Sequence, residues 1–126
     1  MVRVRFTVDN TGHFDVELRT PASPSVKALL SALPFSTRAH RWGEEVYFEV
    51  PFHVDLESDA RQDFDVGEVG FWPDGDAIAI FFGRTPASTD DRPRAYSPCN
   101  PVGRVVGDLS TLSSVREGSL VRAARA

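Results

Sequence analysis

Between Gly67 and Gly83 the chain reads Gly-Glu-Val-Gly-Phe-Trp-Pro-Asp-Gly-Asp-Ala-Ile-Ala-Ile-Phe-Phe-Gly. This pattern allows few folds. Ala77, Ile78, Ala79, Ile80, Phe81 and Phe82 form an uncharged run too short for a buried helix and without alternation, as expected of a strand covered on both faces. Pro73-Asp74-Gly75 before it is turn chemistry, since proline presets φ and glycine tolerates positive φ. The stretch is therefore strand, tight turn, strand. Trp72, beside the turn, is its largest side chain and has no obvious place in a simple hairpin.

The flanking segments extend the same architecture. Val2, Val4, Phe6 and Val8 alternate with polar residues, as do Phe14, Val16 and Leu18, and Asn10-Thr11-Gly12 between them predicts a hairpin. Ser23-Pro24 opens a helix, with serine capping free amides and proline at the first turn. Val26, Leu29, Leu30 and Leu33 then follow at helical spacing until Pro34 ends it. A loop holding Trp42-Gly43 leads to a strand in which Val46, Phe48 and Val50 share one face. Residues 51–66 read as an extended edge and a polar connection, and Thr85 to Pro101 as a long irregular segment. A short strand from Val102 to Val106, a brief helix capped by Asp108 and a last strand at Ser119-Leu-Val-Arg complete the chain. Pairing of the first and last strands would remove exposed edges. The expectation is a mainly β fold, a closed β-barrel of about eight strands with one or two short helices capping its ends, in one domain over residues 1–126.

Composition narrows the function classes. A formal charge of −4 argues against general affinity for nucleic acid or anionic membranes. Cys99 is the only cysteine, so no intrachain disulfide forms and a reducing compartment is expected. The opening Met-Val-Arg-Val-Arg-Phe alternates at once, with no apolar signal region, which predicts a soluble cytoplasmic protein. No motif calls for a cofactor or a metal: His13, His40 and His53 lack ligand spacing, and Asp74-Gly75-Asp76 lacks the later ligands of a calcium loop. Asp55, Glu57 and Asp59 would share a face if extended, and they are read as a solvated edge rather than a cation site.

Leu33-Pro34, Trp42-Gly43-Glu44, Tyr47-Phe48-Glu49-Val50-Pro51, Gly67-Glu68, Phe71-Trp72-Pro73, Phe81-Phe82-Gly83, Thr85-Pro86, Asn100-Pro101-Val102-Gly103-Arg104 and Gly107-Asp108-Leu109 occur in this order. On these motifs the chain resembles the small bacterial and archaeal cyclophilin-like family, barrel proteins without settled function. Cyclophilins proper are prolyl isomerases that place an arginine before a Val-Ile-Pro-like segment. The matching position here is Glu49, before Val50-Pro51. Ile80 stands where cyclophilins carry a glutamine, no tryptophan occurs in 85–101, and the late histidine falls near Cys99 or Asn100. Phe82 matches the pocket phenylalanine, and Trp72 aligns with a position that is normally small. The resemblance thus implies a groove without the isomerase constellation, and prolyl isomerisation that is weak or absent.

The expected function is binding of a small molecule or short peptide in that groove. Its predicted lining is Tyr47, Glu49, Phe52, His53, Trp72, Phe82, Arg84, Tyr96 and Asn100. Aromatic rings supply walls, and Arg84 offers a fork for a carboxylate or phosphate unless it pairs with Asp90 or Asp91. Two alternatives stay open: a genuine peptidyl-prolyl isomerase, and another enzyme using Glu49, His53 or Cys99 as its ionisable group.

Overall fold

The computed structural model describes residues 1–126. Alternation dictates the first hairpin. Strand β1 (Arg3–Val8) pairs antiparallel with β2 (Gly12–Leu18), and Val4, Phe6, Val8, Phe14, Val16 and Leu18 are all buried. Helix α1 (Pro24–Ala32) starts where expected, with the Ser23 hydroxyl accepting a hydrogen bond from the Val26 amide. Val26 and Leu29 carry its apolar stripe into the core.

Strand β3 (Phe35–Arg41) occupies residues read from sequence as the start of a loop. It is followed by β4 (Glu45–Glu49), a short β5 (Arg61–Asp63) and β6 (Glu68–Trp72). A single 3-10 turn at Pro73–Gly75 joins β6 to β7 (Ala77–Phe81), and all five residues of β7 are buried. The positive φ of this turn falls at Asp76 (48°), not at Gly75. Gly75 is needed for another reason: a Cβ there would lie 2.3 Å from the Trp72 ring.

Strand β8 (Arg94–Val106) begins well before Val102, so the irregular segment ends eight residues earlier than the prolines suggest. Asp108 accepts hydrogen bonds from Ser110 at the start of α2 (Ser110–Ser113), and β9 (Leu120–Arg125) ends the chain.

The strands run in the order β2-β1-β9-β3-β4-β7-β6-β8, and a β2–β8 ladder closes them into a ring of eight, with β5 added on β8. The expected pairing of first and last strands is present, Val4 to Val8 of β1 opposing Arg125 to Val121 of β9. Inside the ring, 22 buried residues from the strands and both helices form one apolar cluster. A smaller cluster of Phe64, Ala79, Phe81, Ala95 and Cys99 lies on the other face of β7, with Tyr47 and Trp72 against it. Period-two geometry sends Ile78 and Ile80 one way and Ala79 and Phe81 the other, which is why β7 carries no polar residue.

No helix is long and apolar enough to cross a membrane.

Candidate functional site

On the face of the sheet that bears the smaller cluster, a cavity of about 230 Å³ is lined by Trp42, Glu45, Tyr47, Trp72, Ala95, Tyr96 and Cys99. Each wall follows from local geometry. Val46, Phe48 and Val50 point into the ring, so Glu45, Tyr47 and Glu49 occupy the other face of β4. Trp42 and Glu45 are brought together by the β3–β4 turn, in which the Trp42 amide donates to the Glu45 carbonyl at 3.0 Å. That turn passes through Gly43 at φ 59°, where a Cβ would meet the Arg84 carbonyl at 2.9 Å.

A register shift supplies the remaining wall. Arg61 opposes Cys99 and Asp63 opposes Arg94, so two steps along β5 face five along β8. The surplus, Tyr96-Ser97-Pro98, bulges outward, and Pro98 loses no ladder bond there. Tyr96 consequently stands at the rim, 72% exposed. The Trp72 indole N–H donates to Ser97 Oγ at 2.6 Å, and that hydroxyl donates to Asp74 at 2.6 Å. Trp72 therefore borders the cavity and is held in one orientation.

Four aromatic rings turn around the space. Ring centroids lie 6.1 Å apart for Trp42–Tyr96, 6.1 Å for Trp72–Tyr96 and 6.0 Å for Tyr47–Trp72, with interplanar angles of 71°, 75° and 81°. Steep angles between successive rings make walls rather than a flat stack, and edge-to-face contacts of this kind are individually favourable.

Glu45 is the one acidic residue in this lining. It is 6% exposed, its Oε1 has no hydrogen-bond partner, and burial alone pushes its carboxyl up to about 8. No neighbouring cation or donor offsets the desolvation, so the group is mainly protonated at neutral pH. Leaving a buried polar atom unpaired costs about 1–3 kcal/mol, a cost that a bound partner would relieve. Cys99 beside it is held as a thiol, its pKa raised first by burial and then by Glu45 and Asp74. A thiol so disfavoured from ionising is a poor nucleophile.

Of the residues singled out from sequence, Tyr47, Trp72, Tyr96 and Cys99 come together in the cavity lining. The others lie elsewhere. Glu49 is exposed and accepts from His40 Nε2 at 3.0 Å, and His40 in turn stacks on Tyr47 at 4.9 Å. His53 pairs with Asp76 at 2.5 Å and Asp55 at 3.0 Å, so no Glu49–His53 pair forms. Phe52 stacks on Phe71 of the ring interior, and Phe82 packs against that interior beneath the Arg41 guanidinium. Arg84 meets Asp91 at 3.5 Å on the surface.

Asn100 is fully buried and acts as a tie. Its amide donates to Ser25 Oγ at 3.1 Å and the Asp55 carbonyl at 3.0 Å, and its oxygen accepts from the Glu57 amide at 2.8 Å. Glu57, read as part of a solvated edge, instead accepts from the Ser25 amide and hydroxyl at the start of α1. Asp59 bonds Arg19 at 2.6 Å, so the three alternating acids have separate partners. No group of three or more His, Cys, Asp or Glu side chains is arranged to hold a metal ion.

Sequence reasoning missed Glu45 and Trp42. The signal for Glu45 was its two-residue spacing from Tyr47, which puts it on the aromatic face of the strand.

No curated protein matches the sequence. Among solved structures, the solution structure of the hypothetical protein AF2241 from Archaeoglobus fulgidus is similar, with 35% identity and a TM-score of 0.83. The match covers 99% of this chain and 95% of that one. The sequence also matches the Cyclophilin-like family over residues 2–124, and the chain belongs to that family.

Proposed function

We propose that the closed ring is a cyclophilin-like barrel serving as a ligand-binding module, and that the cavity between β4, β6 and the bulge of β8 takes a small molecule or one side chain of a short peptide. The observation that carries this reading is the unpartnered carboxyl of Glu45 at an aromatic-walled opening. Apolar walls with a single convergent polar group are the usual make-up of a binding pocket. The modest volume favours a head group or a side chain over an extended ligand.

Prolyl isomerisation is weak or absent in this reading. Glu49 holds the place of the family isomerases' arginine and is engaged with His40. An acid there reverses the charge needed beside the twisting amide, whose uncatalysed barrier is about 18–20 kcal/mol.

Two measurements test the reading. A melting-temperature screen over small metabolites should yield a stabilising compound, since ligand at a hundred times Kd adds about 2.7 kcal/mol. Trp72→Ala should abolish that shift, and its persistence would remove the cavity from the reading. A protease-coupled proline-peptide assay should remain near the uncatalysed rate, and robust turnover would overturn the isomerase statement.

A further inference from the structure

We infer that the ligand of this cavity is an organic cation, an alkylammonium head group of the quaternary or protonated tertiary class, enclosed by Trp42, Tyr47, Trp72 and Tyr96 and charge-paired with Glu45. The inference rests on the ligand-binding reading above and narrows it to one chemical class.

Three observations converge. The faces of aromatic rings carry negative electrostatic potential and attract a cation within about 6 Å of the centroid, most strongly for tryptophan. Here two tryptophans and two tyrosines line one small space, their rings set at steep angles to one another. Secondly, the lining holds one acid, Glu45, and no lysine, arginine or histidine accompanies it. An anionic ligand would meet a buried carboxyl and electron-rich ring faces, with nothing to neutralise it. Thirdly, Glu45 has no partner of its own, so the protein leaves a desolvated acid ready to be matched. Tetrahedral alkylammonium groups suit such a site because they are weakly hydrated for a cation and present CH groups to ring faces.

Charge pairing makes binding pH-dependent. The titratable groups around Glu45 are Cys99 from β8, Tyr47 on its own strand and Tyr96 at the rim, with Asp74 beyond Ser97. β7 brings only Ala79 and Phe81. The Arg41–Glu44 pair at 3.8 Å lies on the neighbouring turn, and His40 stacks on Tyr47. A cation draws Glu45 into its ionised form and releases a proton, so affinity rises with pH up to about 8 and levels off above it. The hydrogen bond to Glu49 raises the pKa of His40, and a Glu45→Gln variant separates any contribution of that histidine from that of Glu45.

Isothermal titration calorimetry with three probes tests the inference. Choline is a free quaternary cation, acetyl-trimethyllysine amide carries the same head on a peptide side chain, and 3,3-dimethylbutan-1-ol is the neutral carbon isostere of choline. The expected result at pH 8.5 is that at least one cation binds about tenfold or more tightly than the isostere. Its affinity should fall by about twentyfold on going to pH 6.5. The stronger of the two cations identifies the source of the head group, free or side-chain-borne. Glu45→Gln should retain isostere binding, weaken the preference for the cation to what the rings alone supply and flatten the pH profile. Equal or tighter binding of the isostere to the unmodified protein would overturn the cation while leaving the ligand cavity standing. Absence of binding by all three probes at millimolar concentration would overturn it too. If the metabolite screen is also blank, the cavity reading falls with it.

Discussion

Strands β4, β6, β7 and β8 each serve two apolar regions, and the two are completed differently. Inside the ring, Phe6, Phe48, Phe71, Ile78 and Ile80 are fully buried, and Phe6 sits 5.2 Å from Phe48 and 5.5 Å from Phe14 in aromatic contact. No charged side chain belongs to that cluster. On the opposite face, Phe64 stacks on Phe81 at 4.6 Å, yet the layer stops at a 230 Å³ opening and includes an acid without a partner. A protein under pressure only for stability would fill such a gap and replace such an acid. The difference is that the interior is closed by its own side chains, whereas the outer layer ends at an opening that its own side chains do not fill.

This contrast can be broken by mutation, beginning with the interior. Phe48→Ala should cost about 3–5 kcal/mol in urea unfolding, because the ring cannot collapse around the void. A loss below about 1 kcal/mol would mean the interior is not the sealed region described.

Next in size is the pH dependence that Glu45 imposes. Its folded pKa, about 8, lies above its ordinary value of 4.5. The unfolded chain therefore ionises first, and native stability contributed by this group is intact below about pH 4.5 and declines as pH rises, until it levels off above about 8. Between pH 5 and pH 8 the decline should be about 3 kcal/mol, and Glu45→Gln should remove that slope. Parallel pH–stability curves for the two proteins would show that Glu45 is solvated or paired after all.

Trp72 is half-buried, so Trp72→Ala should cost only about 2 kcal/mol while removing a cavity wall. A larger loss of stability with ligand binding intact would move it to the supporting layer. Least of all, Arg84→Ala should change stability by no more than about 0.5 kcal/mol, since its pairing with Asp91 is exposed at both ends. A marked loss of ligand affinity in that variant would extend the site to the rim of the 84–93 loop.

Much of the ring was legible because its strands alternate or are uniformly apolar, as in β1, β2 and β7. Strand β3 was not: of Phe35–Arg41 only Ala39 is fully buried, and its place comes from backbone ladders to β4 and β9, which leave little mark on side-chain pattern. The start of β8 was hidden by Pro98 and Pro101, which sit at register shifts where a missing amide does no harm. For the site, aromatic residues were a sufficient guide to Tyr47, Trp72 and Tyr96. Glu45 was concealed by Glu44. Two adjacent acids after a glycine read as a solvated turn, and only the pairing of Glu45 with Phe81 places the second one inside. Asn100 erred the other way, because a polar residue in a presumed loop suggests a ligand contact, whereas here it ties α1, residues 55–57 and β8 together.

The chain has two tryptophans, and both of them wall the cavity. Neither reports on the ring interior. The protein therefore carries an optical sensor confined to one location: its intrinsic emission should register a guest in the cavity directly, with quenching or a spectral shift, and no label needs to be attached. For the same reason, emission followed during unfolding describes dissolution of the outer layer. Tyrosine signals from that layer add nothing independent, since Tyr47 and Tyr96 stand at the same place. Loss of the interior has to be followed through backbone signals, and a lag between the two would measure how independently the two faces of the sheet come apart.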